Sequence, residues 1–148
     1  MKYVIDELDR QIIKLLSNDG RMSFTEIASR LNVTEKTVRT RYKNLIDHEI
    51  LEVVGVVNPI AIGIRAGAII QLKVEPQKLS DVISRLKEMK EVRYITLTSG
   101  CYQLLIQIAV PSQDEITDVV KALNNIQGIV EMNTIIQLEV YKNTFDYI

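Results

Sequence analysis

A chain of 148 residues that is 47% apolar can build one large domain or two small ones with packed cores, which excludes a disordered tail. A formal net charge of −1 excludes a uniformly basic nucleic-acid binder, so such a partner would have to be met by cations gathered on one face. The single cysteine, Cys101, excludes an internal disulfide and points to a reducing compartment.

Acids at Asp6, Glu7 and Asp9 stand where a signal peptide needs an apolar run, and the longest aliphatic stretches are broken by Gln or Lys. A cytoplasmic protein with no membrane partner is therefore expected. Residues 1–50 carry nine cations against eight acids, and residues 51–148 nine against eleven. So small an asymmetry leaves nucleic-acid affinity to placement and to oligomerisation.

In chain order, Asp6 or Asp9 can cap a first helix carrying Ile12, Ile13, Leu15 and Leu16, which Asn18-Asp19-Gly20 stops. Ser23 and Glu26 have capping-box spacing and open a second helix with Ile27, Ala28 and Leu31 inward. Asn32 suits the left-handed backbone of a sharp exit, and Thr34 can cap a third helix through its hydroxyl. On that helix Val38, Tyr42 and Leu45 form the inward stripe. Lys36, Arg39, Arg41 and Lys43 stand against Glu35 alone between Thr34 and Asn44. A capped helix that is basic outside, after a tight turn and a preceding helix, fits the major groove of double-stranded DNA. Lys36, Thr37 and Thr40 are the expected base contacts; Arg21, Ser23, Arg39, Arg41 and Lys43 are expected on phosphates, with Thr34 at the helix start.

The β-branched run Leu51–Val57 around Gly55 reads as a strand or short hairpin, the wing of a winged helix-turn-helix. Asn58-Pro59 breaks it, and residues 58–67, with two glycines, read as a linker between a DNA-binding domain over 1–57 and a second domain over 68–148.

The second domain is internally repeated. Ile70-Gln71-Leu72-Lys73-Val74 is echoed by Ile106-Gln107-Ile108-Ala109-Val110, and Leu79, Asp81, Val82, Ile83 and Leu86 by Ile116, Asp118, Val119, Val120 and Leu123. Each half reads strand, helix, strand: Ala68–Glu75 and Val92–Thr98, then Cys101–Val110 and Val130–Val140. Pro76 and Pro111 lie where a proline can open the following helix, and Ser99-Gly100 reads as a tight connection. The fold class is thus α+β, with a ferredoxin-like βαββαβ sheet carrying helices on one face. Ile69, Leu104, Ile106, Ile108 and Ile135 supply more aliphatic strand surface than two helices need to cover, so a bare apolar sheet face is expected to serve as a dimer interface.

Several segments together resemble the Lrp/AsnC feast/famine regulators: Asp6-Glu7-Leu8-Asp9 with Ile12 and Ile13, Asn18 to Ser23, Arg41-Tyr42-Lys43-Asn44-Leu45, Asn58-Pro59 and Gly63. The resemblance implies an N-terminal winged helix-turn-helix that binds DNA and a C-terminal domain that forms dimers and often octamers. It also implies a small effector, typically an amino acid, bound between dimers near the loop joining the second and third strands. That loop is Thr98-Ser99-Gly100-Cys101-Tyr102-Gln103, similar to the family's Gly-x-Tyr-Asp signature with Gln103 in place of Asp. The family pattern puts Thr98, Ser99, Gly100, Cys101, Tyr102 and Gln103 at the effector, with Met132, Asn133, Thr134 and Ile136 as walls contributed by the neighbouring dimer. A carboxylate could hold an α-ammonium group, whereas Gln103 supplies a neutral acceptor and a donor. Glu49 stands where the family has glycine before the wing, and a strained turn is expected there.

An enzyme is not expected, and no cofactor beyond the effector is implied. His48 and Cys101 fall in different domains, and neither a phosphate-binding loop nor a dinucleotide fingerprint is present. Sirohaem decarboxylases resemble this family, but His48, the obvious haem-iron ligand, lies outside the sheet domain. An architectural protein that wraps DNA with little sequence preference is the other alternative.

Overall fold

The computed structural model describes residues 3–144 together with 147 and 148. It divides into two compact units, Met1–Val56 with Asn143–Ile148, and Val57–Lys142.

The first unit is built on three helices. In α1 (Glu7–Asn18) the Asp6 carboxylate accepts the Asp9 N–H, and the Asp9 carboxylate accepts the Asp6 N–H, satisfying two donors that the helix start leaves without partners. In α2 (Phe24–Leu31) the reciprocity expected between Ser23 and Glu26 is only half made. The Ser23 hydroxyl accepts the Glu26 N–H at 3.1 Å, but the Glu26 carboxylate turns to Arg30, 2.6 Å away. Asn32 takes the left-handed conformation at φ 52°, and α3 (Glu35–Asp47) starts from Thr34, whose hydroxyl accepts the Thr37 N–H.

Ile12, Ile13, Leu16, Ile27, Ala28, Val38 and Leu45 close the core between the three helices. Each fully buried aliphatic side chain contributes about 1.5 to 3 kcal/mol relative to exposure. After α3, Ile50 N–H returns to the Leu45 carbonyl and Glu49 N–H to that of Ile46, a Schellman ending with glutamate at φ 55° where glycine is the usual occupant. The strand or hairpin expected over Leu51–Val57 is not formed. A strand exists only by pairing, and among the described residues this run has no neighbouring strand; Val54, Val56 and Val57 stand exposed. A single 3-10 turn, Ile60–Ile62, follows Asn58, whose side-chain oxygen accepts the Ile60 N–H at 3.1 Å, so the segment expected as a linker is partly structured.

The second unit is a four-stranded antiparallel sheet in the order β2-β3-β1-β4: β1 Ala66–Val74, β2 Val92–Leu97, β3 Leu104–Val110 and β4 Ile129–Ile136. Helices α4 (Leu79–Glu88) and α5 (Gln113–Asn124) supply the crossovers, giving the expected βαββαβ plan. Pro76 opens a 3-10 turn running into α4. Gly128, at φ 105°, precedes β4 where a β-carbon would meet the Lys78 side chain at 2.7 Å. The third strand starts later than expected and the fourth ends earlier.

Register corrects the expectation of a bare apolar face. Ala68, Ile70, Leu72 and Val74 of β1, with Leu104, Ile106, Ile108 and Val110 of β3, pack into one core with Val82, Leu86, Ile116, Val119 and Leu123 of the helices. Strand side chains alternate with period two, so the opposite face carries Ile69, Gln71 and Lys73, Leu105 and Gln107, and Glu131, Asn133 and Ile135. That face is mixed, and amides run across it: Asn133 donates to Gln71 at 2.8 Å and Gln107 to Gln137 at 3.3 Å. No helix among the described residues is long and apolar enough to cross a membrane.

Candidate nucleic-acid interface and effector loop

The third helix sorts its polar residues by angle. At about 100° per residue, Lys36, Thr40 and Lys43 lie opposite the buried Val38 and Leu45, and all three are exposed. Thr40 donates its hydroxyl to the Lys36 carbonyl at 2.9 Å. Thr37 is half-buried, its hydroxyl 2.9 Å from that of Thr34. Ser23 and Thr34 hold helix starts, so the hydroxyls expected to meet DNA already have backbone partners. Arg21 is exposed in the turn before α2, its N–H bonded to Asp19.

The two arginines lie on the helix flanks. Arg41 faces α1: its guanidinium donates to Asp6 at 2.7 Å and to Asp9, a fully buried carboxylate, at 3.3 Å. The Asp6 hydrogen bond first, then Tyr3, and then the charges of Asp9 and Asp6 raise the arginine's pKa, while the Asp9 N–H and then Arg41 hold the Asp6 carboxyl below its ordinary value. This arrangement leaves Arg41 with less charge to offer a phosphate than an unpaired cation has, because Asp6 and Asp9 already match it within the fold. Arg39 faces α2 and is bound by Glu35 at 2.7 Å. Counting α3 alone therefore overstated the free positive charge, which rests mainly on Lys36 and Lys43.

In the second unit the connection expected as a tight turn is a loop, Thr98 to Gln103. It is closed by the Thr98 N–H on the Gln103 carbonyl at 2.7 Å and by the Thr98 hydroxyl on the Tyr102 carbonyl. Ser99, Gly100 and Cys101 form its exposed tip. Gln103 does not point into open space. Its amide donates to the Val74 carbonyl at 3.0 Å and accepts the Val74 N–H at 2.9 Å, standing in for a ladder partner where the β1–β3 register ends. A carboxylate could accept there but not donate, which gives glutamine a structural reason for this position.

Tyr102 donates its hydroxyl to Glu131 on β4 at 2.7 Å, and Lys73 approaches the other carboxylate oxygen at 3.6 Å. The Glu131 carboxylate raises the Tyr102 pKa, and Tyr102, then Lys73, lower that of Glu131. The residues expected as pocket walls divide between the two sheet faces. Met132 packs against the helix-side core opposite Leu72, with Thr134 and Ile136 following on the same side opposite Ile70 and Ala68, while Asn133 faces the other way. At about 3.3 Å per residue, Met132 and Ile136 stand some 13 Å apart along the strand. Neither Glu131 nor Lys73 was singled out from the sequence, since only the β1–β4 register brings them together. Glu35 was also passed over, although its four-residue spacing from Arg39 marks an ion pair.

Comparison with known proteins supplies the wider setting. Residues 5–46 match the family model of the AsnC-type helix-turn-helix domain, and residues 67–147 that of the Lrp/AsnC ligand binding domain. The HTH-type transcriptional regulator LrpA of Pyrococcus horikoshii is 33% identical over 141 residues, spanning 94% of this chain and 100% of that protein. The HTH-type transcriptional regulator FL11 of Pyrococcus furiosus is 30% identical over 145 residues, spanning 97% and 96%. Among solved structures, E. coli AsnC superposes with a TM-score of 0.89 at 24% identity, covering 95% of this chain and 97% of its own. A Neisseria meningitidis transcriptional regulator solved as an L-Met complex gives 0.89 at 19%, covering 96% and 95%.

Proposed function

The chain belongs to the Lrp/AsnC family of transcription regulators, and from that premise we propose that it binds duplex DNA sequence-specifically as a homo-oligomer under the control of an amino-acid effector. Residues 1–57 form the reading domain, 58–67 the connection, and 68–148 the effector and assembly domain. The observation that carries this reading is the outward face of α3, where Lys36, Thr40 and Lys43 are exposed side by side. Lys36, Thr37 and Thr40 are assigned to base edges, and Arg21, Arg39 and Lys43 to phosphates. Two copies would present two such helices to half-sites about one helical turn, or a multiple of it, apart.

The effector is assigned to the Thr98–Gln103 loop, with the Gly100 and Cys101 N–H groups for a carboxylate and Tyr102 beside it. The L-Met found with the Neisseria relative supports an amino acid as its class. For binding to change the regulator's output, the effector must prefer one assembly over another, since equal affinity shifts nothing.

The test has two arms. Binding to a duplex selected from a random pool is compared with binding to random duplex at physiological salt. A ratio of about 10³ or more is expected, and a ratio near one would identify an architectural DNA-wrapping protein instead. Calorimetry and sizing against each of the twenty amino acids should give heat and a change of assembly for at least one. No heat with any of them would end the effector assignment.

A further inference from the structure

Arg39 is held from two helices. Its guanidinium donates to Glu35 at 2.7 Å and lies over the Phe24 ring of α2, 5.1 Å from the centroid, and that ring rests against Tyr42 at 5.0 Å. Glu35 is itself tied to α2, accepting the Thr25 hydroxyl at 2.9 Å. Hydrogen bonds from Arg39, then Thr25, keep its carboxyl below the ordinary value, so it is ionised at neutral pH. The side chains of Arg39 and Glu35 remain 64% and 46% exposed, within reach of an incoming partner.

An exposed pair one turn apart on a helix ordinarily samples many arrangements and contributes little. Here Phe24 and Thr25 pin the two ends, which gives Arg39 a fixed direction beside the leading end of α3 and sets a negative charge next to it. A pinned guanidinium meets a phosphate only when the helix pair seats in one geometry. A free one could follow phosphates in any register, and arbitrary duplex offers little besides phosphates. The carboxylate meanwhile repels any phosphate that arrives out of place.

Resting on the DNA-binding reading above, we propose that Glu35 is a positioning residue that sets sequence discrimination, by holding Arg39 in the direction a correctly seated duplex requires and withholding it from others. Discrimination of this kind comes from penalising wrong partners, and it weakens binding to arbitrary DNA more than to the proper site.

The experiment uses the full chain as Glu35→Gln, Arg39→Gln and the double variant, with thermal melting to establish folding. The probes are random-sequence duplex and a duplex selected by the unaltered protein, titrated between 50 and 200 mM salt. Glu35→Gln should bind random duplex more tightly and gain about one phosphate contact, seen as a further loss of about threefold in affinity across that salt range. Affinity for the selected duplex should change less, so the ratio falls, and the gain should vanish when Arg39 is also replaced. An unmoved salt slope and ratio would overturn the proposal, as would a gain that persists without Arg39. If the unaltered protein binds neither duplex, the DNA-binding reading itself has failed; if it binds both and Glu35→Gln changes nothing, only this inference has.

Discussion

Arg41 donates one guanidinium nitrogen to both carboxylate oxygens of Asp9, at 3.3 and 3.4 Å, across 32 residues of sequence. Asp9 is fully buried and also receives the Tyr3 hydroxyl at 3.0 Å, so the α1 end of this contact has no access to water. The consequence is mechanical: the flank of α3 is fastened to the first turn of α1 by charge.

Replacing Arg41 by Gln is therefore expected to destabilise the protein by about 2 kcal/mol. That is below the range for breaking a wholly buried pair, because the arginine itself reaches solvent. Thermal or denaturant unfolding measures the loss. The salt dependence of DNA binding should stay unchanged in the folded fraction. A stable variant whose salt slope drops by about 0.9 would return Arg41 to the phosphates.

The depressed carboxyl of Asp6 makes stability pH-dependent with a definite sign. Its folded pKa lies below the ordinary 3.8, so the stabilisation it supplies is fully present above the unfolded value and is lost as pH falls through the folded one. Asp6→Asn keeps a capping oxygen but cannot ionise. Melting temperatures of the two proteins should differ most near neutrality, begin to draw together only below about pH 4, and meet once pH has fallen through the folded pKa. Curves that stay parallel down to pH 2 would show that the ionised form of Asp6 does not matter.

Glu49 holds a left-handed backbone at φ 55° that glycine adopts without strain. Glu49→Gly should stabilise the protein by about 0.5 to 1 kcal/mol, the relieved strain exceeding the entropy that glycine gives up in folding. Equilibrium unfolding decides this, and a loss of stability would mean that the glutamate side chain does more than tolerate the turn.

Gln103→Ala removes both hydrogen bonds from Val74 and should destabilise by about 1 to 2 kcal/mol through the part-buried N–H and carbonyl left behind. Gln103→Asp should not recover that loss, because a shorter acceptor-only side chain cannot donate to the Val74 carbonyl. Full recovery by aspartate would show that the loop can rearrange around a different pairing.

The helix starts could be read in advance because caps are local: Asp6, Ser23 and Thr34 lie within three residues of the groups they satisfy. The βαββαβ order was legible for a similar reason, since the repeat shows itself in spacing alone. Failures came where the deciding partner is distant. Leu104, Ile106 and Ile108 are as aliphatic as Ile69 and Ile135, and only register tells which of them lie under the helices. Arg41 looked like a free cation because Asp6 stands 35 residues away, and Glu131 was invisible beside Tyr102 across 29. The valines of Leu51–Val57 carry strand propensity without a neighbour, and propensity alone builds no ladder.

The sheet face turned away from α4 and α5 bears on the calorimetry of assembly. Its Gln71–Asn133 and Gln107–Gln137 rows interrupt the aliphatic surface offered by Ile69, Leu105 and Ile135. Copies meeting across it would exchange hydration of amides for amide contacts as well as shed water from hydrocarbon. Self-association through that face would then show a shallow temperature dependence of its enthalpy, where an oily interface of equal area would show a steep one.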